Sequence, residues 1–384
     1  MPIISAPSVL IDGAFRGPAA VIIDGDRIVD VIDGVPAAAD DHLQLPTGLL
    51  TPGLVDLQIN GAFGIDFITA TPADWACVAA TLPRTGVTAF QPTFTTAPLE
   101  TLVAGIARAA LARQAQSFGA RLLGVHLEGP FLSPAQAGVH PTEHMLTPSA
   151  AHLDTLLGTG PQDIVTMVTM APELTDALGA VRRLVAAGIC VSIGHTDATA
   201  AQVRAATDAG AAMVTHIFNA MRGLGHREPG AAGQSLADQR LVVGLIADLM
   251  HVSGEIVLVV MRAAAGRVAL VTDAMAAAGM APGRYELGET VVDVFADGLP
   301  RNRAGAIAGS TLTLDDAVRN VVSVGISTAA AFEAATSVPA DLIGRPDLGR
   351  LQAGALADLV WWSDDLAPMR TWVGGRVVEL SVVA

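Results

Sequence analysis

Between Gly53 and Asp273 short apolar runs recur, each followed by a loop and usually by an alanine-rich stretch of helical character. The runs are G-L-V-D-L-Q-I-N (53–60), T-G-V-T-A-F-Q-P-T-F (85–94), L-L-G-V-H-L-E (122–128) and I-V-T-M-V-T-M-A-P-E (164–173). They continue with G-I-C-V-S-I-G-H (188–195), A-A-M-V-T-H (211–216), L-V-V-G-L-I-A-D-L-M-H (241–251) and R-V-A-L-V-T-D (267–273). Eight strand-like runs at intervals that fit repeated βα units predict a (β/α)8 barrel rather than an open doubly wound sheet. No G-x-G-x-x-G opens a helix after the first run, which weakens a dinucleotide-binding alternative.

The two ends of the chain have a different texture. Residues 1 to about 52 read as short strands, with Val21–Ile23 and Ile28–Ile32 flanking a D-G-D-R hairpin turn. The tail from about residue 352 returns to strands and turns, so the segments 1–52 and 352–384 are expected to pair into one small β-sandwich module around a catalytic barrel at 53–351. After Asp273, A-A-A-G-M-A-P-G-R-Y-E-L-G reads as a mobile loop able to cover a site, followed by a short β-like segment at Thr290–Phe295. A helix capped by Ser or Thr is expected from about Leu312 and a second over about Thr328–Ser337.

Composition narrows the classes. A chain of 384 residues with 51% hydrophobic content can bury a large core, yet no uninterrupted apolar run is long enough to span a bilayer. Met1–Asp12 lacks the basic-then-apolar pattern of a signal peptide, and two cysteines, Cys77 and Cys190, imply no disulfide framework. The expectation is a soluble cytoplasmic protein with no membrane partner. A formal charge of −15 argues against a general nucleic-acid surface while leaving room for a small anion held by a few local cations. All 22 basic residues are arginine. The absence of lysine excludes Schiff-base chemistry, a Walker lysine and a metal pair bridged by a carbamylated lysine.

Most of the eight runs end in a group that ligates, ionises or hydrogen-bonds: Asn60, Glu128, Glu173, His195, His216, His251 and Asp273. In a barrel the C-terminal strand ends form the active face. His195 and His216 stand 21 residues apart, about one strand-loop-helix-loop unit, so both side chains could emerge from the same end of neighbouring parallel strands. With Glu128 they make a carboxylate and two imidazoles, a set that suits one Zn2+ with water in the fourth position, Fe2+, Mn2+ or Co2+ being alternatives. Asp273 closes the eighth run, where a carboxylate beside an activated water can take its proton and return it to a leaving amine.

Here the residues resemble a known family. H-L-E-G-P-F (126–131), G-V-H-P (138–141), S-I-G-H-T-D-A-T (192–199) and T-H-I-F-N-A-M (215–221) look like N-acetylglucosamine-6-phosphate deacetylase. So do H-R-E-P-G (226–230), I-A-D-L-M-H-V (246–252), L-V-T-D-A-M (270–275) and A-G-S-T-L-T (308–313), in that order from about residue 20 to the C-terminus. The resemblance implies an amidohydrolase that removes the acetyl group of N-acetylglucosamine 6-phosphate to give glucosamine 6-phosphate and acetate. By position it matches Glu128, His195 and His216 to the metal ligands, Asp273 to the acid/base, and His140, beside Val139, to a histidine that polarises the amide carbonyl. Asn219 and Ala220 match residues that hold the sugar phosphate, Arg227 and His251 phosphate- and sugar-contacting residues, and Ile307, Ala308 and Gly309 a substrate-lining turn. In this family the arginine can come from a neighbouring subunit, which implies a homodimer. By its own context in G-L-G-H-R-E-P-G, Arg227 reads as a solvated turn arginine.

Many amidohydrolases carry H-x-H at the end of the first strand for a second metal; here the positions read Gln58-x-Asn60, so a single catalytic metal is expected. The close alternative is deacetylation of N-acetylgalactosamine 6-phosphate, and a more distant one a catalytically silent barrel acting as a binding protein.

Overall fold

The computed structural model describes residues 1–36 and 41–378; residues 37–40 and 379–384, parts of the segments assigned to the small module, lie outside the described residues. Eight parallel strands follow one another around a barrel: β1 (Leu54–Ile59), β2 (Val87–Thr95), β3 (Val125–Glu128), β4 (Val165–Met170), β5 (Cys190–Ile193), β6 (Met213–Val214), β7 (Val242–Leu245) and β8 (Val268–Leu270). Every residue of β1 and β2 is buried, because each strand is covered by the barrel interior on one face and helices on the other. That is why the runs are continuous rather than alternating.

The barrel closes between β8 and β1. The Asp273 N–H donates to the Gln58 carbonyl at 2.8 Å and the Asn60 N–H to the Ala274 carbonyl at 2.7 Å, with a parallel bridge from Ile59 to Ala274. Lower in the same seam Asp56 accepts from the Thr272 hydroxyl at 2.6 Å and from the Thr272 N–H at 3.3 Å.

Helices cover the outside through one apolar face each. In Ala177–Ala186 the buried positions are Ala177, Ala180, Val181 and Leu184, the i, i+3, i+4, i+7 stripe of an amphipathic helix. Two helix starts carry capping boxes, Thr71 with Asp74 and Thr199 with Gln202, each satisfying N–H groups that the first turn leaves without partners. The expected late helices are Leu314–Ser323 and Thr328–Ala335, the second capped by Ser327.

The chain ends pair as their texture predicts. Leu359–Trp362 runs antiparallel to Leu49–Pro52 inside a six-stranded sheet, and Ala19–Asp24 pairs with Arg27–Asp33 through the expected hairpin inside a four-stranded one. Ile4, Val21 and Ile28 of one sheet pack with Val9, Leu50, Leu359 and Trp372 of the other, a sandwich core separate from the barrel's.

Two expectations need correction. The glycine-rich segment after Asp273 is no loose lid: Ala274–Ala278 is buried, and Gly283–Leu287, Thr290–Val294 and Pro300–Asn302 form a three-stranded antiparallel sheet. Gly288, at φ +56°, makes the tight turn between the first two of those strands, a conformation that favours glycine. The strands also end earlier than the apolar runs suggest. β4 stops at Met170 and β7 at Leu245, so Glu173 and His251 stand in loops beyond them.

Candidate active site

Three residues at strand ends depart from extended backbone in the same way. His195, His216 and Asp273 have φ of +47°, +26° and +48°, a region that costs a side-chain-bearing residue about 1–3 kcal/mol and persists only where surrounding structure holds it. At Asp273 the hold is visible: its N–H is bonded to Gln58 and its carbonyl accepts from Ser310 at 2.9 Å.

The side chains of Glu128, His195 and His216 converge. Glu128 Oε1 lies 3.0 Å from His216 Nε2 and 3.4 Å from His195 Nε2, and the two Nε2 atoms are 3.2 Å apart. All three residues are buried, and one ligand atom from each falls within 4.8 Å of the others. The Gln136 carbonyl, 3.0 Å from His195 Nδ1, can only accept, so the proton sits on Nδ1 and Nε2 keeps its lone pair for a cation. Burial alone would raise the Glu128 carboxyl, but hydrogen bonds and charge from His195 and His216 hold it well below the usual range. His216 is moved the other way: burial lowers it, and the hydrogen bond and charge of Glu128 outweigh that and raise it. The set fits a divalent cation, because three electron-pair donors face one centre.

Asp273 stands over this group. Its Oδ1 accepts from Asn60 Nδ2 at 2.7 Å and from Gln58 Nε2 at 3.2 Å, and Gln58 Nε2 also donates to Glu128 Oε1 at 2.9 Å. Gln58 therefore donates between the two carboxylates and Asn60 donates to Asp273, and neither amide is the imidazole that a second transition-metal ion would call for. Burial, then the charge of Glu128, pushes Asp273 up to about 6, a range that suits a group passing a proton back and forth.

His140 approaches from the loop after β3, its ring 4.4 Å from that of His195 and its Nε2 3.9 Å from Glu128 Oε2. The backbone N–H of Thr96 donates to His140 Nδ1 at 3.2 Å, which leaves the ring proton on Nε2. Burial, then the charge of His195, lowers this imidazole to about 3, so it stays neutral and offers one N–H.

These groups line a cavity of about 270 Å³, together with Val139, Asn219, Ala220, His251, Ile307 and Gly309. Ala308 is buried behind the turn with Met275, Leu287 and Val292. Arg227 is exposed and stands outside the lining, which contains no arginine. A larger cavity of about 630 Å³ between the helices Pro72–Thr81 and Leu99–Ala115 has no titratable group in its walls and no part in this chemistry.

Several supporting residues escape sequence reasoning. Glu173, expected at a strand end among groups that ligate, ionise or hydrogen-bond, stands beyond β4 and accepts from the Thr196 hydroxyl at 2.5 Å and the Asp197 N–H at 2.7 Å, gripping the two residues after His195. Asp197 in turn pairs with Arg222, and the Thr196 N–H donates to the Ala220 carbonyl at 3.1 Å, which ties the His195 loop to the loop of Asn219 and Ala220. The D-x-x-H spacing of Asp248 and His251 carried a readable signal; Gln136, acting through its carbonyl, and Thr96, acting through its N–H and its hydroxyl on His140 Nδ1, carried none.

Comparison with known proteins agrees with the geometry. The model of the amidohydrolase family matches residues 49–378. The chain is 37% identical to N-acetylgalactosamine-6-phosphate deacetylase of Escherichia coli O157:H7, over 92% of this chain and 93% of that one. It is 36% identical to N-acetylglucosamine-6-phosphate deacetylase of Vibrio furnissii, over 97% and 94%. The structure of N-acetyl-D-glucosamine-6-phosphate deacetylase from Mycobacterium smegmatis, in complex with N-acetyl-D-glucosamine-6-phosphate, superposes with a TM-score of 0.93 at 36% identity, covering 98% of this chain and 99% of that one. The family is metal-dependent, and Glu128, His195 and His216 form a possible buried metal site. The chain belongs to the amidohydrolase family, in its N-acetylglucosamine-6-phosphate deacetylase branch.

Proposed function

We propose that the site hydrolyses the acetamido group of N-acetylglucosamine 6-phosphate, releasing acetate and glucosamine 6-phosphate, with one divalent cation held by Glu128, His195 and His216. The observation that carries this reading is the convergence of those three ligands beneath Asp273, a carboxylate raised to about 6. Zn2+ is the first choice for a carboxylate and two imidazoles, with Fe2+, Mn2+ or Co2+ able to replace it. Donor amides at Gln58 and Asn60 support a single cation.

When bound, the cation supplies Lewis acidity to the attacking water and the acetyl carbonyl. Asp273 takes the water's proton at Oδ2, the oxygen that Asn60 and Gln58 leave free. His140 donates its Nε2–H to the carbonyl oxygen as negative charge develops there. The tetrahedral carbon then collapses, the C–N bond breaks, and Asp273 returns the proton to the leaving nitrogen.

Asn219, Ala220 and His251 hold the phosphorylated sugar, with Val139 and the turn Ile307–Gly309 along its side. A cavity without arginine calls for a cation from elsewhere, which supports a homodimer in which Arg227 reaches the neighbouring subunit's phosphate as a fork donor. Two free cysteines fit a reducing cytoplasm, and among the described residues no helix is long and apolar enough to cross a membrane.

A second reading has an observation behind it: the relatives named for the galactosamine and glucosamine epimers stand at nearly equal identity. One experiment tests both. Acetate release is measured with the two sugar phosphates and their unphosphorylated forms, with metal content determined on the same sample. The proposal expects release from the gluco epimer and a strong loss without phosphate, the second reading preferential release from the galacto epimer; no stoichiometric metal and no acetate from either sugar phosphate would favour a silent binding protein.

A further inference from the structure

Beyond β7 the chain turns sharply at Asp248–His251, with Leu249 at φ +63°. Asp248 Oδ1 accepts from the N–H groups of Met250 and His251, both at 2.8 Å. Those two bonds are enough to hold an Asx turn. The second oxygen does something the turn does not need: Oδ2 lies 2.6 Å from His251 Nδ1. Both side chains are nearly covered, 12% and 6% exposed, so the pair is shielded from competing water.

A carboxylate can only accept, so Nδ1 must carry a proton. In the neutral ring Nε2 then holds a lone pair, and among the described residues no protein group bonds it. His251 lines the same cavity as Asp273 and the three candidate ligands. A lone pair at Nε2 selects its partner: a phosphate dianion offers no proton, whereas a sugar hydroxyl does.

We propose that Asp248 is a positioning residue for the deacetylation: it fixes His251 in the Nδ1–H form and presents Nε2 as an acceptor to a ring hydroxyl of the substrate rather than to its phosphate. The inference rests on the reading that His251 touches the sugar. Its function is to orient the ring before the acetyl group meets Asp273, in ground and transition state alike.

The test uses the intact enzyme with 15N-labelled histidine, the His251 signals being assigned by their loss in His251→Gln. At pH 7.5 the wild-type spectrum is expected to show protonated Nδ1 and bare Nε2; a proton on Nε2 overturns the proposal, whatever any variant does. Asp248→Asn keeps an oxygen for the two backbone N–H groups but turns an NH2 toward Nδ1, which moves the ring proton to Nε2 while leaving the shape intact. With acetate release as the assay, this variant is expected to raise KM by about tenfold or more and to leave kcat within about threefold, as loss of uniform binding requires. A flipped ring with KM unchanged overturns the role of Asp248, provided that His251→Gln does raise KM. KM unchanged in His251→Gln overturns the underlying sugar contact instead.

Discussion

Asn60 Nδ2 donates to Asp273 Oδ1 at 2.7 Å, across the seam where the eighth strand meets the first. With Gln58 on the same oxygen, the bond fixes which face of the carboxylate is free for proton transfer. Asp273→Asn keeps the shape but removes the proposed base. Turnover is expected to fall by about 10²–10⁴-fold, the usual size of a general acid–base contribution. Metal content measured on the same preparation should be unchanged; near-wild-type kcat would exclude Asp273 as the base.

The ligand cluster gives a count. Three converging donors, with amides at 58 and 60, should bind one equivalent of divalent metal per chain, read by elemental analysis after dialysis. Chelation should abolish acetate release and added Zn2+, Mn2+ or Co2+ should restore it. Glu128→Gln should lose the metal while the far-ultraviolet circular dichroism stays intact. Two equivalents per chain would contradict the donor role of Gln58 and Asn60.

His140 offers a single N–H because the Thr96 backbone occupies its other nitrogen. Replacing it with alanine removes a donor to the developing oxyanion, a loss of about 10²–10³-fold in kcat where such donors act in buried sites. KM should change much less. A loss carried by KM alone would make His140 a binding residue.

Asp56, inside the seam, supplies a stability test. Burial pushes its carboxyl from 3.8 up to about 7, against the hydrogen bonds of Thr272 and the Gln58 backbone. Between those values the folded chain binds more protons than the unfolded one, so stability falls as pH rises from about 4 to about 7. Asp56→Asn carries no such proton, so its unfolding free energy should gain on the wild type across that window. The gain should reach as much as about 4 kcal/mol, since each tenfold change in proton affinity is worth about 1.4 kcal/mol. Urea unfolding of both chains at pH 4.5 and 7.5 reads the difference; a gap that does not widen would contradict the burial cost.

Much of this is legible in the chain itself. Eight apolar runs point to the barrel because parallel strands buried on both faces cannot alternate. Glu128, His195, His216 and Asp273 stand out because strand ends on one rim must converge. Of the three-stranded sheet over Gly283–Asn302 only the middle strand, expected at Thr290–Phe295 and found at Thr290–Val294, is legible; its neighbour, R-Y-E-L after a glycine, has too few alternations to stand out beside a turn-rich segment. Strand ends are misplaced at Glu173 and His251 because apolar residues run past the last ladder bond into buried loops. Gln136 acts through a carbonyl, a group every residue has, and Thr96 adds to its N–H a hydroxyl that no strand pattern singles out.

The seam has a further consequence. A barrel has no sheet edge to fray, so its cheapest local opening is where the last ladder bonds are few, and among the described residues a few short contacts join β8 to β1. The backbone bonds among them belong to Gln58, Asn60, Gly61, Asp273 and Ala274, backed lower down by Asp56 with Thr272, and they include the residues proposed to set the proton carrier in place. The first breath of the fold would therefore silence the enzyme while its helices remained whole. Heat should extinguish turnover before it dissolves structure, and a sugar bound across the gap would act as the clasp of the ring.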